Sequence, residues 1–178
     1  FKIETAATVK AGNGSGTRTL TIDNATLDLS SPGASLSMKG DNYTRYKVTV
    51  TNGGVLRVGE YAYDGAGLGS MAVNTGYWTL NNGRLEITKE SDGTFGNGLT
   101  VAAGGGAVEV VNAGSTMSIT ADNTHNIQLN GALTITGAGN MITGSDNAFR
   151  GTGRLIKDGS GTLTLANSSS FTGGVELK

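Results

Sequence analysis

Residues 151–178 read GTGRLIKDGSGTLTLANSSSFTGGVELK, and this stretch decides the fold of the chain. Glycines bracket two short runs, residues 154–157 and 162–165, and a polar turn follows the second run. Apolar and polar residues alternate within the runs, which is typical of strands with one buried face. The glycines stand where the chain must turn sharply between strands. We therefore expect the leucines of these runs to face a core, and Lys157 to face solvent together with the threonines.

The same segment resembles the autotransporter-associated β-strand repeat. That repeat follows approximately the pattern G-x-G-x-L-x-K-x-G-x-G-T-L-T-L, then a polar turn, then an aromatic residue before T-G-G-T/V. Nearly every position of the pattern is occupied here, up to Val175, whereas the rest of the chain matches only in style. The resemblance implies export to the surface of a Gram-negative bacterium. It also implies a structural repeat without catalytic residues of its own.

The composition favours many short strands joined by tight turns. Glycine accounts for 30 of the 178 residues, with one proline, no cysteine and no Gly-X-Y period. No stretch keeps a helical hydrophobic period, because glycine interrupts every candidate. The net charge is −1, and acidic and basic residues are evenly spread. This balance gives no electrostatic basis for binding nucleic acid or an anionic membrane.

A unit led by glycine or asparagine and followed by an apolar-x-apolar run recurs along the chain. Its first apolar residue falls at positions 27, 56, 85, 108, 133 and 155, so successive units are 22 to 29 residues apart. Such irregular spacing is typical of solenoid coils made of three short strands with loops of varying length. We therefore predict an all-β fold, a right-handed parallel β-helix of about six or seven coils. One inner column should contain Leu56, Leu85, Val108, Leu133 and Leu155.

An antiparallel β-sandwich is the alternative fold, since it also consists of short alternating strands with frequent turns. A sandwich gives no reason for the same glycine-led strand to recur once per unit. Asparagine recurs at the expected turns, for example at Asn52 and Asn82, where it tolerates left-handed backbone and can pair with the turn above.

Residues 1–178 are treated as a single β-solenoid segment, with the clearest repeat at 151–178. Residues 59–76 lose the strand alternation, so we predict an inserted, protruding loop there. Aromatic residues cluster around this interruption. The hypothesis is a ligand-binding surface for sugar rings or a partner protein, formed by Tyr61, Tyr63, Tyr77 and Trp78. The alternative is that these aromatic side chains fold back and cover an edge of the column.

The sequence offers little for catalysis. The single histidine, His125, lies among polar residues, where a solvated loop histidine is the simpler interpretation. With no cysteine and one histidine we expect no metal site and no cofactor. Glu86 and Glu109 occupy equivalent positions in successive units and could form a carboxylate pair of the kind glycosidases use. We expect instead a solvated ladder in which both alternate with the arginines at positions 57 and 84.

We expect a non-enzymatic structural or display segment of a cell-surface or secreted protein, outer membrane-associated or extracellular. Neither terminus reads as a solenoid cap, so the column should continue in a longer chain or stack on copies of itself into a rod or filament. The first alternative is an adhesin that binds carbohydrate or a host protein through loops. A polysaccharide lyase or hydrolase on the same fold is the weaker alternative.

Overall fold

The computed structural model describes residues 8–10, 16–31, 35–37, 44–59, 77–90, 93–95, 98–119, 126–144, 148–166 and 168–178. All regular secondary structure in these ranges is β-strand. Within the same ranges, no helix has the length and hydropathy needed to cross a membrane.

The strands form three long parallel sheets. In spatial order, sheet 1 contains β2 (Gly16–Asp23), β5 (Thr44–Thr51), β7 (Tyr77–Asn81), β10 (Leu99–Val101), β13 (Ile127–Leu129), β16 (Phe149–Gly151) and β19 (Ser170–Phe171). Sheet 2 contains β3 (Thr26–Leu29), β6 (Val55–Val58), β8 (Gly83–Ile87), β11 (Gly106–Val110), β14 (Leu133–Gly137), β17 (Leu155–Lys157) and β20 (Val175–Leu177). Sheet 3 contains β9 (Gly93–Phe95), β12 (Thr116–Ile119), β15 (Asn140–Thr143) and β18 (Leu163–Leu165). Separately, β1 (Thr8–Lys10) pairs with β4 (Ser35–Ser37).

The chain visits sheets 1, 2 and 3 in turn, and each strand pairs with its equivalent in the next coil. The result is a parallel β-solenoid of about five turns, and four turns have a described strand in all three sheets. This confirms the predicted all-β parallel solenoid. The antiparallel sandwich is wrong, because every strand pair among the described residues is parallel.

The core is a continuous aliphatic column enclosed by the three sheets. In β8, for example, Leu85 and Ile87 are buried, whereas Arg84 is exposed and Glu86 half-buried. The same alternation recurs in coil after coil, and nearly all inner side chains are leucine, valine or isoleucine. One coil cannot bury these side chains alone, so each coil depends on the coils stacked against it.

The predicted inner column is correct from Leu56 to Val108 and again from Leu133 to Leu155, but the two parts are offset by two residues. Leu56 lies beside Leu85, and Leu85 beside Val108. Leu133, however, lies beside Gly106, and Ile135 takes the place next to Val108. All of the predicted side chains are nevertheless buried. An offset of two residues keeps every side chain on its own face, so the alternating pattern cannot reveal it.

Lys157 lies on the inner side of β17, which corrects the expectation that it faces solvent with the threonines. The register places Leu155 beside Leu133 and Lys157 beside Ile135, so both occupy inner positions. Residues two apart in a strand share a face. The lysine Nζ donates to the carbonyl oxygens of Asp158, at 2.6 Å, and Gly159, at 2.8 Å. The lysine thus binds the turn that follows the strand through its ammonium group.

Two sequence-based predictions lie outside the described residues. The inserted loop was predicted for residues 59–76, and all of it after Gly59 is outside them. His125 is outside them as well. Both remain predictions.

Candidate binding surfaces

Five charged side chains on the outer face of sheet 2 form a connected group, here called the ion ladder: Asp28, Arg57, Arg84, Glu86 and Glu109. Arg57 lies between Asp28 and Glu86 in the strand register, and Glu109 follows Glu86 in the next coil. Arg57 donates through Nε to Glu86 Oε2 at 2.6 Å and through Nη1 to Asp28 Oδ2 at 3.0 Å. Arg84 Nη1 donates to Glu109 Oε2 at 2.8 Å. The predicted ladder of Glu86 and Glu109 with two arginines is confirmed, and Asp28 is a further member that was not predicted.

Asp28 is the most buried member of the ion ladder, with 8% of the residue exposed. Burial by itself raises the pKa of this carboxyl group. Hydrogen bonds from the hydroxyl and backbone N–H of Ser30, at 2.6 and 2.9 Å, and from Arg57 outweigh that effect. The pKa of Asp28 therefore lies below its ordinary value of 3.8. The hydrogen bond to Glu86 is the main reason that the pKa of Arg57 is raised, against the opposing effect of burial.

The carboxylates of the ion ladder are engaged by guanidinium groups. Glu86 accepts from Arg57 and lies 3.8 Å from Arg84, and Glu109 accepts from Arg84. Glycoside hydrolysis needs one protonated carboxyl group facing another across a bound sugar. Two neighbouring carboxylates on one sheet face, both paired with arginine, do not provide that arrangement. The described residues also contain no cluster of three His, Cys, Asp or Glu side chains able to hold a metal ion.

A groove of about 460 Å³ follows the corner between sheets 1 and 2, and we call it the corner groove. It crosses four successive coils, with Gly54, Gly83, Gly105 and Ala132 among its lining residues, and Arg84 and Thr134 also line it. The coils stack so closely that a Cβ atom on Gly54 would overlap the carbonyl oxygen of Ile22, and one on Gly83 that of Val50. Glycine at the corner therefore allows the coils to stack this closely.

Asparagine shapes the same corner. Asn52 and Asn82 have left-handed backbone, with φ of 53° and 58°, as predicted for these turns. The Asn52 side chain donates through Nδ2 to Asp23 Oδ1 of the preceding coil at 2.9 Å. The Asn81 Oδ1 atom accepts from the backbone N–H of Gly104 in the next coil at 3.2 Å. These amides join successive corners at the edge of sheet 1.

The outer face of sheet 1 carries a different set of side chains. Strand register aligns four threonines in successive coils, here called the threonine row: Thr21, Thr49, Thr79 and Thr100. Gln128 continues the row in the next coil. Thr51, Asn81 and Asn130 lie between the row and the corner groove. Among the described residues, none of the four hydroxyl groups has a hydrogen-bond partner.

Sequence reasoning missed the threonine row, although the signal was present. The row occupies the outer position of the runs T-L-T-I, V-T-V-T, W-T-L and L-T-V, and aligning these strands would have stacked the threonines. The aromatic residues near positions 59–76 gave the stronger signal in the sequence. Trp78 is 4% exposed and lies between Val48 and Leu99 in the register of sheet 1, inside the core.

Trp78 therefore does not belong to an exposed ligand-binding surface, which corrects that part of the hypothesis. Trp78 and Leu80 are two residues apart in β7 and both are buried, so both lie on the inner face. Tyr61 and Tyr63 lie outside the described residues, and Tyr77 is described only by its backbone at the start of β7. The part of the hypothesis that concerns these tyrosines stays a prediction.

Two comparisons place the chain among known proteins. Residues 155–178 match the Passenger-associated-transport-repeat family. The chain is also similar to the Adhesin BmaC autotransporter of Brucella suis biovar 1 (strain 1330), with 34% identity over 144 residues. The aligned part is 80% of this chain but 3% of that adhesin, so the chain spans a small fraction of its relative. No solved structure matches the chain. The resemblance inferred from residues 151–178 is confirmed.

Proposed function

Because this chain carries an autotransporter passenger repeat and is a distant homologue of an autotransporter adhesin, we propose that it is a non-enzymatic shaft segment of a surface-displayed passenger. Its place is the cell surface or the extracellular space of a Gram-negative bacterium. The observation that carries the proposal is the column of parallel coils, which ends in the passenger repeat itself. A column in which every coil supports its neighbours suits a shaft that presents binding surfaces away from the cell.

The proposed shaft is right-handed and has six or seven coils. Seven strands in each of sheets 1 and 2 support the number of coils. Right-handed crossover connections are strongly preferred between parallel strands of one sheet, and this supports the handedness. At the last strand of sheet 2, Val175 and Leu177 are 51% and 78% exposed. A further coil, from a longer chain or a second copy, would cover both side chains and extend the column.

Adhesion is the second function we propose, supported by the relationship to a protein named as an adhesin. The partner would be a carbohydrate or a host protein. Beads coated with the folded chain should adhere to cultured host cells, and beads coated with the chain carrying Leu85→Asp, which disrupts the core, should not. Equal adhesion of both bead types would contradict a specific adhesive role and leave the shaft as the only function.

The absence of enzymatic activity is tested separately. Incubation of the chain with acidic and neutral polysaccharides should release no new reducing ends or unsaturated products. Turnover that disappears in Glu86→Gln and Glu109→Gln variants, while Arg154→Gln leaves it intact, would overturn the proposal and establish a lyase or hydrolase.

A further inference from the structure

We propose that the threonine row and the adjoining corner groove bind one extended, uncharged polysaccharide chain that lies along the solenoid axis. The inference rests on the proposed adhesive function and names a surface and a ligand class for it. It places the binding site on a sheet face, not on loops.

The threonine row presents hydroxyl groups at a constant interval. Its members are direct register partners in neighbouring strands, so their spacing is that of parallel strands, about 4.8 Å. None of the four hydroxyl groups is used by another part of the described chain. A hydroxyl group both donates and accepts, as does each hydroxyl of a sugar. A polymer of sugar units lying along the row would meet an equivalent hydrogen-bonding group at every coil.

The corner groove indicates the shape of the ligand. It crosses four coils along the axis, from Gly53 to Thr134. A compact ligand would contact one or two coils and leave most of this length empty. An extended polymer would use the groove and the row together, and many weak contacts of the same kind would add up along its length.

The uncharged side chains at the centre of the row favour a neutral polymer as the ligand. The described outer side chains of β7, β10 and β13 are uncharged, namely Thr79, Asn81, Thr100 and Gln128, and the uncharged Asn130 follows β13. Polyanions such as nucleic acids bind through rows of lysine or arginine, and this face has no such row. The charged side chains nearest the row are Asp23 and Lys47, which flank Thr21 and Thr49, and Arg150, which follows Gln128. Arg84 and Glu86 line the corner groove, but both are engaged in ion pairs of the ion ladder.

Strand pairing argues against a peptide. A peptide that extends a sheet needs a strand edge with unpaired backbone groups. Strands β5, β7, β10, β13 and β16 are each paired on both sides, so the flank of the column offers no such edge. The threonine hydroxyl groups of the face remain available, and these suit a glycan.

The test is affinity electrophoresis of the folded 178-residue chain in native gels that contain a soluble neutral polysaccharide. The probes are hydroxyethyl cellulose, a galactomannan and a soluble β-1,3-glucan, with alginate as the anionic counterpart. We expect retardation by at least one neutral polymer and weaker or no retardation by alginate. Retardation by none of the neutral polymers, or stronger retardation by alginate, overturns the proposal.

The double variant Thr79→Val and Thr100→Val removes two central hydroxyl groups while keeping shape and strand propensity. Losing two hydrogen bonds should weaken retardation by roughly tenfold or more. The matched control is Ser118→Ala with Thr164→Val on the outer face of sheet 3, which should leave retardation unchanged. Equal effects of the two double variants would contradict binding at the row.

Failure of this proposal can be told apart from failure of the adhesive function. If beads carrying the valine double variant adhere to host cells like the original chain, while no neutral polysaccharide binds, adhesion stands and the ligand proposal falls. If the polysaccharide binds but the original beads do not adhere, the binding site stands and the adhesive function falls. Circular dichroism of both double variants confirms that they fold.

Discussion

The outer faces of sheets 1 and 2 rest on the same core but use their side chains in opposite ways. On sheet 2, the ion ladder links four coils, and its carboxylates are bound by guanidinium groups. On sheet 1, the threonine row leaves its hydroxyl groups without partners among the described residues. The inner positions alone build the column, so each outer face is free to hold coils together or to meet a ligand.

A charged substitution in the core that sheets 1 and 2 share should disrupt both sheets, and it has the largest expected effect on stability. Leu85 is 1% exposed, and Leu85→Asp would place an unpaired charge in the aliphatic column. We expect a loss of about 4 kcal/mol in the free energy of unfolding, or failure to fold. Thr79→Asp, on the outer face of sheet 1, is the control and should cost far less. Urea denaturation followed by circular dichroism measures both, and equal midpoints would place Leu85 outside the core.

A substitution at the corner between sheets 1 and 2 should lower the unfolding free energy nearly as much. A Cβ atom on Gly83 would overlap the backbone carbonyl of Val50, which cannot move without separating the coils. Gly83→Ala should therefore cost about 1–3 kcal/mol of unfolding free energy. Gly114→Ala is the matched control, because no atom lies within 4 Å of a Cβ there, and it should change stability by less than about 0.5 kcal/mol. Similar melting temperatures for the two variants would contradict close stacking at the corner.

The recurrence of a glycine-led strand every 22 to 29 residues was enough to predict the parallel solenoid and the part of the ion ladder beyond Asp28. Glu86 and Glu109 lie in equivalent units, and equivalent units stack. The pattern could not show that Leu133 lies beside Gly106, because a shift of two residues preserves every face. The burial of Trp78 could have been predicted, because Trp78 lies two residues before Leu80 in an alternating run. The density of aromatic residues nearby led instead to the prediction of an exposed binding surface. Clustering along the chain does not determine which face a side chain occupies.

The contribution of the ion ladder is tested at its centre. Arg57→Met keeps much of the arginine stem but leaves Asp28 and Glu86 without their guanidinium partner. Because Asp28 is buried, we expect a loss of about 1–2 kcal/mol in unfolding free energy. Arg154→Met is the control, because Arg154 pairs with Glu176 at an exposed site, where such a pair contributes less than about 1 kcal/mol. If the control costs as much as Arg57→Met, the ladder does not join the coils.

Lowering the pH should weaken the ion pairs on the outer face of sheet 2, whereas the threonine row on sheet 1 has no group that titrates. The pKa of Asp28 in the folded protein lies below its ordinary value of 3.8. The ionised carboxylate therefore stabilises the fold fully when the pH is above the ordinary pKa, and this stabilisation is lost as the pH falls through the folded-state pKa. Unfolding free energy measured between pH 5 and pH 2 should therefore fall more steeply for the original chain than for Asp28→Asn, which has no proton to gain. Parallel curves for the two proteins would show that Asp28 is not stabilised by its partners.

The smallest effect on stability is expected for the threonine row. The hydroxyl groups of Thr79 and Thr100 have no partner in the described chain, so Thr79→Val with Thr100→Val removes no intramolecular hydrogen bond. Valine also suits a strand as well as threonine does. The unfolding free energy should therefore change by less than about 0.5 kcal/mol for each substitution, as measured by urea denaturation. A loss of more than about 1 kcal/mol per site would mean that these hydroxyl groups support the fold. The sheet 1 face would then be structural like the ion ladder, and the row would not be free to bind a ligand.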